Sequence, residues 1–285
     1  MAYPIRQIQQ TITPLPVIEG AGVHLIRSIA TQTLDYLDPF LLFDHFGSDN
    51  PEDYLAGFPM HPHRGIETVT YMLAGAVNHR DSLNNVGTIA AGDAQWMTAG
   101  GGIMHEEMPR PVNGKMEGFQ LWVNLPARLK MTRPRYQEVK ADQIPIVQRP
   151  DGTQIRIIAG EVDGIRGPVK EIAADPTYLD ITLPAGAELQ HLVPKGHTAF
   201  GYLFEGQAAI ADSTYISSPK LVVFADGDWI QVKAGSQGVR FLLSSGLPLG
   251  EPIARYGPFV MNTRDEILQA LEDLRKGTFV YRSQD

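Results

Sequence analysis

Apolar residues along this chain fall in short runs, some alternating with polar positions and some continuous, and glycine or proline closes most of them. Residues 22–27, 118–123, 154–158, 178–183 and 238–243 show the pattern and read as β-strands, whose side chains alternate faces with a period of two. One segment carries a helical period instead. In residues 264–276, Ile267, Leu268, Leu271 and Leu274 fall on one side, Asn262 or Thr263 can cap the first turn, and Arg275 and Lys276 precede Gly277. The pattern predicts an all-β protein with a C-terminal helix.

The strand pattern occurs twice. Tyr71-Met-Leu-Ala-Gly75 is followed by Gly92-Asp93 and then Ala99-Gly100, while Tyr202-Leu-Phe-Glu-Gly206 is followed by Gly227-Asp228 and then Ala234-Gly235. A strand closing on glycine, a hairpin, and a Gly-Asp turn feeding another strand fit a β-barrel or β-sandwich of paired hairpins. Two similar modules are therefore expected. The basic, proline-punctuated stretch 126–138 lacks strand alternation and reads as the linker, which sets modules at residues 1–130 and 131–285.

Composition narrows the chemistry. With 24 Lys+Arg against 32 Asp+Glu the net charge is −8, so the chain has no electrostatic footprint for gripping phosphate backbones, and direct nucleic-acid binding is not expected. The cysteine count of zero excludes disulfides, thiolate metal sites and thiol nucleophiles, leaving histidine and carboxylate for any metal. No signal-peptide-like apolar stretch opens the sequence and no run reaches about 18 apolar residues, so a cytoplasmic protein without a membrane segment is expected.

Eight histidines are present, and two form Met60-His61-Pro62-His63-Arg64-Gly65. Pro59 and Pro62 hold the residues before them in extended conformation, where side chains two apart point the same way, about 7 Å apart at the base. Two imidazoles so placed can converge on one ion. The run Gly100-Gly101-Gly102-Ile103-Met104-His105-Glu106-Glu107, closed by Pro109 and Pro111, gives His105 and Glu107 the same relation. Three imidazoles and one carboxylate suit Fe, Mn, Co, Ni, Cu or Zn better than Ca or Mg. Aligning Tyr71 with Tyr202 puts Leu192 and Pro194 where His61 and His63 stand; aligning Gly100 with Gly235 puts Arg240 and Leu242 where His105 and Glu107 stand. All four lose ligand character together, which places a single site in the N-terminal module.

Glu67 shares the parity of His61 and His63 and competes with Glu107 as the carboxylate. His79, among Asn78, Arg80, Asp81 and Ser82, reads as a turn residue bonding locally. His24, His45, His191 and His197 lack a partner at ligand spacing and are expected to be structural. Neither a nucleophile elbow nor a phosphate-binding or dinucleotide motif is found.

The blocks His61-Pro-His-Arg-Gly-Ile-Glu-Thr68, Gln95-Trp-Met-Thr-Ala-Gly100, Gly102-Ile-Met-His-Glu-Glu-Met-Pro109 and Gly118-Phe-Gln-Leu-Trp-Val-Asn-Leu-Pro126 resemble the pirin family of the cupin superfamily. Asp38-Pro-Phe-Leu-Leu-Phe-Asp-His45 and Gly257-Pro-Phe-Val-Met-Asn262 extend the resemblance over nearly the whole chain. It implies a bicupin, two β-barrel modules with one metal in the first, usually iron(II), held by His61, His63, His105 and Glu107. Thr68 stands where many cupins carry a carboxylate ligand, so the carboxylate has moved to the second motif, as in pirins.

The resemblance further implies a quercetin 2,3-dioxygenase acting on a flavonol and O₂, with Glu107 as the catalytic base, or, as the alternative, a non-enzymatic regulator that binds protein partners. Trp96, Met97, Met104, Phe119 and Trp122 are candidate pocket walls, and Arg64 either faces the site or forms an ion pair. With two modules able to cover each other's faces, a monomer is expected.

Overall fold

The computed structural model describes residues 4–280. Up to residue 139 its strands are β1 (Ile8–Ile12), β2 (Leu15–Glu19), β3 (Val23–Ile29), β4 (Phe40–Ser48), β5 (Phe58–His63) and β6 (Ile66–Ala74). They continue with β7 (Ala76–Asp81), β8 (Val86–Ala90), β9 (Ala94–Thr98), β10 (Ile103–Arg110), β11 (Met116–Asn124) and β12 (Arg135–Val139). The chain divides into two compact units, each a barrel-like β-module.

The unit that carries the histidine motifs comprises Leu15–Thr31, Pro39–Ala141 and the chain from Leu249 onward. A seven-stranded sheet runs β12-β9-β6-β11-β4-β3-β2, and a four-stranded sheet runs β5-β10-β7-β8. Every pairing in both sheets is antiparallel. The large sheet buries one row set of Phe40, Phe43, Val69, Tyr71, Trp96 and Phe119, and its other face carries Leu42, Asp44, Thr68, Thr70, Gln120 and Trp122.

The second unit comprises the segment ending at Pro14, Gln32–Asp38 and Asp142–Pro248. Its main sheet begins with β1 and continues through Lys220–Phe224, Thr198–Ile210, Trp229–Gly246, Thr177–Leu183, Gln154–Ala159 and Ile146–Gln148. The interior is filled by aliphatic side chains such as Ile155, Ile157, Leu179, Ile181, Leu189 and Leu243. The repeat is visible in the packing, because Tyr71 and Tyr202 are buried at matching places in the two units.

The helix forms as the capping signals predict. Helix α1 spans Arg264–Lys276; Thr263 accepts from the Glu266 amide while Glu266 reaches back to the Thr263 amide, and left-handed Gly277 closes the end. Its inner face differs from the expected one. Ile267 and Ala270 are buried and Leu271 packs beside them, whereas Leu268 is 52% and Leu274 36% exposed. Leu268 lies one position off the stripe that meets Phe259, Met261 and Phe279.

Two sequence expectations about organisation are corrected. The stretch expected to be a linker is integral to the first unit: Arg135–Val139 is an edge strand paired with β9, and Lys130 is 1% exposed. Its ammonium donates to Asn124 Oδ1 at 2.8 Å, Val260 O at 2.8 Å and Gly65 O at 3.0 Å, so the basic residue that suggested a solvated linker ties three segments together. The C-terminal helix, expected with module 131–285, belongs to the first unit, because Asp273 and the Phe279 carbonyl bind Arg64. Among the described residues, no helix is long and apolar enough to cross a membrane.

Candidate metal centre

Three imidazoles meet where β5 and β10 pair. His61 lies directly opposite His105, and His63 opposite Ile103, so the extended His-Pro-His segment presents both rings to the neighbouring strand. The ring centroids of His61 and His105 are 4.4 Å apart, those of His61 and His63 4.9 Å, and those of His63 and His105 5.1 Å. One nitrogen from each can be chosen so that all lie within 4.8 Å of one another.

The ring nitrogens fit a metal ion. His61 Nδ1 is 3.0 Å from the Pro59 carbonyl, which fixes the tautomer and leaves Nε2 as a ligand atom. Both nitrogens of His105 and Nδ1 of His63 are buried with no hydrogen-bond partner. Leaving such groups unpaired costs about 1–3 kcal/mol each, a penalty that coordination would remove for one nitrogen of each ring. Burial, reinforced by the neighbouring imidazoles, pushes His63 and His105 well below the ordinary histidine pKa. Both are neutral near pH 7, the form that binds a cation.

A bulge between His105 and Glu107 shifts the β5–β10 register, so that Glu107 stands opposite Phe58. The Glu107 side chain is buried and lies against the large sheet: Thr70 Oγ1 is 3.1 Å from Glu107 Oε1, and Gln120 Nε2 is 3.5 Å from Oε2. Thr70 Oγ1 is also 2.7 Å from Gln120 Oε1. His61, His63 and Glu107 line one cavity of about 560 Å³, whose walls include Val23, Leu42, Phe58 and Trp122. Its size and mostly apolar lining suit a drug-sized organic ligand.

The rival residues go elsewhere. Gly65 interrupts the extended chain between β5 and β6, so the parity that made Glu67 a rival to Glu107 does not carry across; its Oε1 accepts from Thr98 on the opposite face from Thr70. His79 sits within β7 rather than in a turn, with Nε2 2.8 Å from both Glu138 Oε1 and Gln95 Nε2. Arg64 is buried, donates to Asp273 Oδ2 at 2.7 Å and covers the Phe279 ring at 4.4 Å, which selects the ion pair over the cavity.

Of the five candidate walls, only Trp122 lines the cavity, its ring 5.2 Å from that of His63. Trp96 and Phe119 lie on the other face of the sheet, Met97 is in a core cluster with Leu41 and Ile66, and Met104 packs beside Phe259 and Met261. His24, His45 and His197 pair with Asp53, Glu117 and Asp175 at 3.4, 3.5 and 4.0 Å, and His191 is buried on a strand of the second unit. Thr70, Gln120, Arg27 and Asp44 are cavity residues that sequence reading missed. Polar residues at every second position of otherwise apolar strands were their only signal.

Glu67 offers a check on the carboxylate. Burial raises its pKa from 4.5 to about 6, against the opposing pull of the Thr98 hydrogen bond. Because the folded-state value lies above the unfolded one, stability supplied by the protonated form is complete below about pH 4.5 and is lost as pH rises through 6. Glu67→Gln keeps the Thr98 bond without the buried charge. The variant is expected to match the parent in denaturant midpoint near pH 4, exceed it by about 1–2 kcal/mol at pH 8, and keep its metal. Metal loss on this substitution would return Glu67 to the ligand set.

Family comparison matches two models, and the second runs on through α1 although that helix packs in the first unit. Residues 22–123 match the pirin model and residues 178–280 the pirin C-terminal cupin domain. A pirin-like protein of Caulobacter vibrioides is 44% identical over 97% of this chain and 100% of its own length. A Pseudomonas aeruginosa protein provisionally named a quercetin 2,3-dioxygenase is 42% identical over 95% of this chain and 97% of its own. The crystal structure of a quercetin 2,3-dioxygenase from Acinetobacter baumannii superposes with a TM-score of 0.89 at 35% identity, covering 97% of this chain and 99% of that one. With both cupin modules matched and relatives above 40% identity along nearly its full length, this chain belongs to the pirin family.

Proposed function

We propose that the chain is a metal-dependent dioxygenase that opens the central ring of a flavonol such as quercetin, with iron(II) as the metal. The observation that carries this reading is the cluster of His61, His63 and His105, the last two buried and neutral, with His61, His63 and the buried Glu107 carboxyl lining a mostly apolar cavity of about 560 Å³. The names of the Pseudomonas and Acinetobacter relatives support the same reaction class. One flavonol and one O₂ give one phenolic ester and one carbon monoxide, so no outside reductant is needed.

In this reading His61, His63, His105 and Glu107 hold the ion. A bound divalent metal supplies a Lewis acid that lowers the pKa of the flavonol's 3-hydroxyl. Glu107 accepts that proton, and its neighbours are arranged to house it. Thr70 has one hydroxyl proton but lies within hydrogen-bond reach of acceptors on both Glu107 and Gln120. Once Glu107 is protonated, its hydroxyl donates to Thr70 Oγ1, Thr70 donates to Gln120 Oε1, and Gln120 Nε2 donates to the other Glu107 oxygen. The cycle then closes, with each of its three links having one donor and one acceptor. Trp122 and Phe58 meanwhile keep the bound ring away from bulk water.

Metal analysis of the purified protein, followed by anaerobic mixing with quercetin and admission of O₂, tests the reading. Loss of the flavonol absorbance band with one CO released per flavonol is expected. Stoichiometric metal without turnover across iron, manganese, cobalt, nickel and copper reconstitutions would refute the reaction, and a protein that binds none of these ions would refute the site.

A further inference from the structure

The cavity has a second polar pole, and the strand register locates it. On the inner face of the large sheet Arg27 stands opposite Asp44, Asp44 opposite Gln120, Gln120 opposite Thr70, and Thr70 opposite Gln95. These five polar residues form one row across β3, β4, β11, β6 and β9. The neighbouring rows are largely apolar, with Leu42, Trp122, Thr68 and Met97 on one side and Phe46, Gly118 and Met72 on the other. A polar row between apolar rows is a defined feature of the wall.

Adjacent strands are about 4.8 Å apart, so Asp44 lies about 10 Å from Thr70, the residue that touches Glu107. That spacing fits a planar skeleton of two or three rings, with one end at the imidazoles and the other at Asp44. Asp44 is 4% exposed and lines the cavity. Arg27 Nε and NH2 each bond one of its oxygens at 2.7 Å, and Arg27 NH1 is taken by Glu19 Oε1 at 2.7 Å.

The guanidinium is thus spent on carboxylates, while each Asp44 oxygen keeps a further lone-pair direction. A pole of this kind accepts hydrogen bonds and rewards a hydroxyl. Building on the reading of the cavity as a flavonol site, we propose that Asp44, oriented by Arg27, is a specificity-determining residue that accepts a hydrogen bond from a hydroxyl on the substrate ring remote from the metal. The substrate class is then a planar polyphenol rather than a simple enol.

The test compares quercetin, which has hydroxyls on its outer rings, with 3-hydroxyflavone, which has none there. Dissociation constants are measured anaerobically on the metal-loaded protein by ligand fluorescence or absorbance, so that turnover is not required. The parent protein is expected to bind quercetin at least about tenfold more tightly, the worth of one hydrogen bond to a charged acceptor. In Asp44→Asn that ratio is expected to fall towards one.

Equal affinity of the parent for the two ligands would overturn the proposal, and this arm needs no variant to fold. An Asp44→Asn protein that keeps its metal and the full tenfold preference would also overturn it. Tenfold discrimination without CO release would leave Asp44 in its role while removing the dioxygenase reading, so the two failures are distinguishable.

Discussion

Replacing His63 by alanine is expected to reduce retained metal from about one ion per chain to almost none while leaving the chain folded. His63 is 2% exposed and its Nδ1 has no hydrogen-bond partner, so its removal costs only the contact with the Pro258 backbone. The apolar surface lost against Trp122 is offset in part by no longer burying an unpaired nitrogen. No other imidazole can take the place, because His79 is engaged with Glu138 and Gln95. Residues that only support a ligand cost 10–100-fold in metal affinity when removed, so loss of a ligand is expected to exceed about 100-fold. Elemental analysis after dialysis, together with a thermal melt, separates metal loss from unfolding; stoichiometric metal in the variant would refute the histidine trio as the site.

Gly65→Ala is expected to damage the fold more than any single change at the metal centre. Gly65 has φ of +80°, and a β-carbon built there collides with the Val260 carbonyl oxygen and lies 2.9 Å from Met261 Sδ. The oxygen cannot move aside, because it also accepts from buried Lys130 at 2.8 Å. Gly65 itself donates to the Gly100 carbonyl at 2.8 Å and accepts from Lys130 at 3.0 Å. Left-handed strain of about 1–2 kcal/mol and displacement of backbone together place the cost above about 4 kcal/mol. Gly186→Ala is the control: its φ is +72°, but no atom lies within 4 Å of the added carbon, so strain alone, about 1 kcal/mol, is expected. Denaturant midpoints of the two variants decide the matter, and similar values would show that the crossing at Val260 does not constrain the fold.

Much of this was legible from local pattern. Two-residue periodicity found the strands, and the Thr263 and Gly277 signals bounded the helix at both ends, while the return bond from Glu266 was read only in the structure. The His-Pro-His spacing found two members of the trio, because prolines force extended backbone whatever the tertiary context. Cross-strand relations were not legible. The parity of Glu67 relative to His63 is undone by the turn at Gly65, and the row from Arg27 to Gln95 exists only once five strands have taken their registers. Lys130 misled for a related reason: a lysine among prolines and arginines reads as solvated until three acceptors from distant segments close around it.

The hold of the C-terminal segment on Arg64 has a consequence for synthesis. The proposed ligands span residues 61–107, yet the residue after His63 is secured by Asp273 and by the carbonyl of Phe279, more than 200 positions later. Translation proceeds from the N-terminus, and contacts of such separation close last. A nascent chain therefore carries every proposed ligand long before it carries the clamp that fixes their strand. A chain stopped at Met261 would hold the complete proposed ligand set and lack the contacts from Asp273 and Phe279 that secure Arg64.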